Sequence, residues 1–150
     1  NIMSPELGTL VAQRLLRSKI PARLAFVGPN GDPHVVPIWF LWRHSKILLC
    51  GGAGSFKVKA IRKHPRVALS IDSEMIPYES LRIRGLAEIE VIDGIPVEYV
   101  ECAHRYYGDQ KGQQWIDWVS TYTTQMARIS VTPDWVQALD FRERFSEIFG

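Results

Sequence analysis

Residues 34–64 constrain this 150-residue chain more than any other stretch. Two runs of β-branched and aromatic residues, 35–42 and 46–50, are joined by the polar residues Arg43, His44 and Ser45, a hairpin-length connection. The second run ends in Gly51-Gly52-Ala53-Gly54, after which Ser55 is placed to cap a short basic helix over 56–63 that stops ahead of Pro65. Strand, glycine turn and helix N-terminus in that order make an anion site. Backbone N–H groups at the helix start, the Ser55 hydroxyl and the ammonium groups of Lys57 and Lys59 are the groups expected to converge on a phosphate.

The remaining pattern is mainly β. Leu7, Leu10, Val11, Leu15 and Leu16 recur at helical spacing from an N-cap at Ser4 to about Ser18, where Ile20-Pro21 breaks the run. Residues 22–27 read as a strand and 28–33 as a turn, so that 22–27, 35–42 and 47–50 form a three-stranded antiparallel meander. A fourth strand covers 66–72. The clearest one covers 80–92, where Leu81, Ile83, Gly85, Ala87 and Ile89 alternate with Arg82, Arg84, Leu86, Glu88 and Glu90. Gly85 inside so long a strand marks a bend or bulge. Helices are expected over 96–107, stopped by Gly108, and over 113–120. Strands over 123–132 and 135–141 follow, separated by a turn at Pro133-Asp134. Six or seven antiparallel strands with helices at the ends and corners imply one domain over 1–150, a closed or split β-barrel.

Composition excludes several classes. Apolar residues at 46% and charged residues at 23% are globular proportions, and a net charge of +2 is too small to argue for nucleic acid. Glu88 and Glu90 share a face with Arg82 and Arg84, which further disfavours a nucleic-acid barrel. Cys50 and Cys102 lack metal-ligand spacing, and His34, His44, His64 and His104 are scattered singly, so no metal site is expected. Free thiols, no membrane-length apolar run and no signal-peptide pattern lead to the expectation of a soluble cytoplasmic protein.

The segments Ala22-Arg23-Leu24-Ala25, Gly31-Asp32-Pro33-His34-Val35-Val36-Pro37-Ile38-Trp39, Gly54-Ser55-Phe56-Lys57, His64-Pro65-Arg66-Val67-Ala68-Leu69 and Leu81-Arg82-Ile83-Arg84-Gly85 resemble, in order and spacing, the flavin-binding split-barrel superfamily. That superfamily includes pyridoxamine 5′-phosphate oxidase and the oxidoreductases dependent on FMN or on the deazaflavin F420. The resemblance covers residues 20–92 well and 123–141 loosely. It implies a six- to seven-stranded antiparallel split β-barrel with flanking helices that binds FMN, or alternatively F420. The backbone of Val35, Val36, Pro37, Ile38 and Trp39 would run along the isoalloxazine ring, with Cys50 and Gly51 beside the ribityl chain and Ser55 and Lys57 at the phosphate. Phe56 stands where the oxidase usually has arginine, so Lys59 or Arg82 is expected to supply the missing charge. The resemblance also implies a homodimer with the cofactor at the interface, Ser80 and Arg82 arriving from the partner chain. Leu139 falls near where many relatives carry a tryptophan, and the oxidase's C-terminal motif of tryptophan, arginine, histidine and arginine is not found. This points away from that oxidase itself.

A flavin performs the hydride or electron transfer, and the protein binds and orients it, so no residue is nominated as catalytic. The expected function is redox chemistry on a small-molecule substrate. The alternatives are an F420-dependent reductase of the same fold and a non-catalytic flavin- or haem-binding protein.

Overall fold

The computed structural model describes residues 4–150, and the protein is one seven-stranded antiparallel sheet wrapped round a core, with helices at its corners. The strands are β1 (Ala22–Val27), β2 (Pro33–Ile38), β3 (Leu41–Arg43), β4 (Lys46–Gly52), β5 (Arg66–Asp72), β6 (Glu79–Asp93) and β7 (Gln125–Asp140). Their spatial order is β2-β1-β5-β6-β7-β4-β3, which places two strands adjacent in sequence, β2 and β3, at opposite edges. Only Trp39 and Phe40 separate them, and three Cα–Cα steps span at most about 11 Å. The sheet therefore curls until its edges nearly meet, yet among the described residues no ladder closes it.

The expected continuous strand over 35–42 is thus broken. Its first half pairs with β1 and its second half with β4, so the three strands do not form a simple meander. The prolines explain why the seam stays open. Gly28 N–H donates to Asp32 O at 2.8 Å, which fixes the alternation of this hairpin. His34, Val36 and Ile38 turn their backbone groups to β1, whereas Pro33, Val35 and Pro37 turn theirs to the free edge. Two of those three positions have no N–H to offer a closing strand.

The β3–β4 connection has two residues, not three. His44 and Ser45 both have positive φ (53° and 59°), as a tight hairpin turn requires. The expected turn at Pro133-Asp134 is instead a bulge inside the continuous β7. Arg84 pairs with Trp135 and Gly85 with Pro133, leaving Asp134 as the extra residue. Proline suits that position because it has no N–H to place in the ladder. A Cβ on Gly85 would lie 2.2 Å from the Thr132 carbonyl oxygen, so glycine is required.

Helix α1 (Leu10–Leu16) starts at Thr9, whose hydroxyl accepts from Ala12 N–H; a separate short 3-10 turn, Pro5–Gly8, precedes it. The single helix expected from Ser4 is interrupted because the Thr9 side chain caps a new start. Leu7, Leu15 and Leu16 enter the core beside Leu24, Ile47, Leu49, Ile71, Leu81, Ile83 and Ile129 from the inward face of the sheet. Helix α2 (Phe56–Lys63) and strand β5 fall where the sequence places them. Helices α3 (Val97–Tyr107) and α4 (Asp109–Ser120) form a hairpin about Gly108, whose φ is 85°. Two four-residue turns, α5 (Phe141–Arg144) and α6 (Ser146–Phe149), end the chain.

Candidate functional site

The candidate site is the seam. Arg43 faces Lys46 and Leu41 faces Leu48, so continuing that register would set Trp39 against Cys50 and Pro37 against Gly52. The ladder stops first. Where β2 and β4 diverge, a cavity of about 320 Å³ opens, lined by Pro37, Ile38, Trp39 and Cys50 from the two edges. Pro21 before β1, Tyr99 and Cys102 of α3, and Trp115 of α4 complete it. By alternation, Trp39 and Cys50 turn their backbone groups toward this gap. Of the Val35–Trp39 backbone expected along the ring, only part can donate to it: Val36 and Ile38 are committed to β1, Pro37 has no N–H, and Val35 and Trp39 remain.

The walls are fixed. Trp39 stacks on Tyr106 at 5.4 Å and meets Tyr107 edge-on at 4.9 Å, while Trp115 Nε1–H donates to Tyr99 Oη at 3.0 Å. Arg43 forms a two-bonded pair with Glu101, and Arg128 bridges Glu90 on β6 and Glu98 on α3, tying α3 to the sheet. Burial pushes the Cys50 and Cys102 thiols up to about 12, which favours the protonated form of both at neutral pH.

At the end of β4 lies the second half of the site. A Cβ on Gly51 would sit 2.9 Å from both Cε and Nζ of Lys57 and 3.8 Å from Ser55 Oγ, so these three residues converge on one point. Ser55 accepts weakly from Val58 N–H at 3.4 Å and keeps its hydroxyl proton to donate. Burial lowers the Lys57 pKa, and among the described residues no carboxylate pairs with it. A half-buried, unpaired ammonium beside a hydroxyl and a side-chain-free backbone is a cradle for an anion.

The other predicted residues are not all gathered here. Lys59, two positions along α2, is exposed and points away from Lys57. Phe56 is 52% exposed and packs on His34 at 5.1 Å and Phe26 at 6.1 Å. Val35 and Arg82 are exposed on the outer face of the sheet, lining a separate depression of about 270 Å³ with Arg23, Arg84 and Trp135. Ser80 is buried, and its hydroxyl donates to Asp72. Within one chain, Ser80 and Arg82 on β6 stand apart from the cradle, with β7 between β6 and β4. Sequence reading missed Pro21, Tyr99, Cys102 and Trp115. Pro21 read only as a helix break, the helices of Tyr99, Cys102 and Trp115 carried only an amphipathic signal, and no local pattern says which strand edge such a helix covers.

Residues 11–140 match the family model described as pyridoxamine 5′-phosphate oxidase. Among solved structures, the chain is similar to a conserved hypothetical protein from Mycobacterium tuberculosis, with 21% identity, 96% of this chain and 89% of that one covered, and a TM-score of 0.69. It is also similar to an F420 reductase, with 23% identity, 91% and 98% covered, and a TM-score of 0.66. A third likeness is to HutZ, the haem storage protein of Vibrio cholerae, with 12% identity, 83% and 89% covered, and a TM-score of 0.61. At these identities the likeness is one of fold. No curated protein sequence matches.

Proposed function

The chain belongs to the pyridoxamine 5′-phosphate oxidase family, and from that premise we propose that it is an FMN-binding oxidoreductase acting on a small molecule, with the flavin held in the seam of the sheet. The observation that carries the proposal is the meeting, along β4, of two unlike sites. One is the aromatic-walled gap at Trp39 and Cys50; the other is the anion cradle of Gly51, Ser55 and Lys57. A planar ring joined to a phosphate has the same two parts in the same order.

The residues fit such a group, since the cradle lacks both a side chain at Gly51 and a counter-charge at Lys57. When bound, the flavin supplies hydride or electron transfer. Lys57 and the Ser55 hydroxyl hold its phosphate, and the N–H groups of Val35 on β2 and of Trp39 just after it are the donors left for the ring edge. Pro37, Ile38 and Trp115 exclude water from one side. Arg82 of a second copy of the chain supplies the charge that Phe56 does not, whereas the Ser80 hydroxyl, already donating to Asp72, has only its lone pairs to offer a cofactor. The same cradle accepts the phosphate of F420. Haem is less well matched, because no histidine lines the cavity and the Cys50 thiol stays protonated.

The purified protein, titrated separately with FMN, F420 and haem by absorption and fluorescence, tests this reading. Saturable quenching of FMN fluorescence, followed by reduction of the bound flavin by a nicotinamide donor, supports it. Binding of F420 alone transfers the proposal to a deazaflavin reductase. Binding of haem alone overturns it, and flavin binding without turnover reduces it to a cofactor store.

A further inference from the structure

Helix α4 buries one face in the fold and leaves a second, aromatic one largely open. Gly112, Ile116 and Val119 are buried, and Gly112 lies so close to α3 that a Cβ would be 2.6 Å from the Ala103 carbonyl oxygen. On another face Lys111, Gln114, Trp115 and Trp118 follow at helical spacing and, with Tyr107 from the end of α3, line an open groove of about 430 Å³. That is the size of a small-ligand site. Trp118 is 55% exposed, Tyr107 48% and Tyr122 60%, an amount of aromatic surface that packing of the core does not require.

The groove continues into the seam. Trp115 lines both cavities, and Tyr107, which touches Trp39 at 4.9 Å, stands 5.9 Å from Trp115. Trp115 and Trp118 then follow with ring centroids 5.2 Å apart and tilted, and Tyr122 meets Trp118 edge-on at 4.9 Å. Lys111 supplies the charge. It is exposed and has no carboxylate partner among the described residues, while neighbouring Asp109 bonds His104 and Asp117 bonds Gln113.

We propose that this groove binds planar aromatic anions, with the ring against Trp118 and Trp115 and the carboxylate at Lys111, and delivers them to the seam. The substrate class is then an aromatic acid, a conclusion that rests on the flavin reading for the redox step but not for binding. Aromatic rings on both walls select a flat partner, a single unpaired ammonium selects a negative one, and the shared Trp115 joins it to the site.

The test is calorimetric titration of the cofactor-free protein with naphthoate, its neutral analogue naphthalene methanol, and FMN. Naphthoate is expected to bind saturably. Lys111→Gln should weaken naphthoate about tenfold without changing naphthalene methanol or FMN, and Trp118→Ala should weaken both naphthalene ligands about tenfold, with recovery in Trp118→Phe. Equal affinity across all variants, or no saturable naphthoate binding at millimolar concentration, overturns the proposal. So does conversion of a dimer to a monomer by Trp118→Ala, which would assign the groove to a second copy of the chain. Naphthoate binding without FMN binding upholds the groove and removes the flavin reading; FMN binding without naphthoate binding removes the groove alone.

Discussion

At the scale of residues, the cradle depends on what is missing from it. Gly51 has no side chain and Lys57 has no counter-ion, so the ammonium is partly desolvated and its pKa lowered by burial. Gly51→Ala would press a methyl group against the flexible end of Lys57. The fold is expected to survive with its urea midpoint little changed, while FMN affinity falls at least tenfold by titration. The direction of the Lys57 shift also sets a pH dependence. Phosphate binding favours the protonated lysine, so FMN affinity should be full below the lowered pKa and fall as pH rises through it; riboflavin affinity should not follow. In the cofactor-free protein the sign reverses. The unfolded chain holds that proton more tightly, so the stability cost of burying Lys57 is relieved as pH rises. The Gly-Ser-x-Lys run made the Ser55 and Lys57 half of the cradle legible in sequence. The divergence of Lys59 followed from helical geometry, since positions two apart do not share a face.

Among the elements, those with a strong local pattern were readable, and those decided by distant partners were not. Helix α2 and strands β1 and β5 lie where alternation and capping place them, and Gly85 does mark a bulge. The break at Trp39-Phe40 had no local mark, because both residues are aromatic and the reason for the break is that the two halves pair with different strands. Likewise, Pro133-Asp134 looks like a turn until β6 is placed opposite it; Asp134 then bulges out to pair with Arg66 at 2.6 Å. Gly85→Ala would drive a Cβ into the Thr132 carbonyl, an obstacle of rigid backbone, and should destabilise the protein by about 3 kcal/mol or more in denaturant unfolding. A loss below about 1 kcal/mol would mean that the bulge relaxes freely.

For the whole molecule, the open seam and the outer face of the sheet pose one problem. Arg23, Arg82 and Arg84 crowd that face without a carboxylate partner among the described residues, Arg84 lying over Trp135 at 4.3 Å. Two copies meeting there would repel unless anions came between them. Dimerisation and cofactor binding are therefore expected to be linked: in sedimentation, FMN should lower the dimer dissociation constant, and riboflavin, without a phosphate, should do so far less. A dimer equally tight with either ligand, or with none, would separate assembly from the phosphate. The central claim, that the seam and the cradle hold the two ends of one flavin, is tested most directly by titrating the native protein and Lys57→Ala with FMN and riboflavin side by side. The expected result is a loss of about tenfold or more in FMN affinity with riboflavin affinity within about twofold of native. Equal losses for both ligands, or none for either, would remove Lys57 from the phosphate site and contradict the claim.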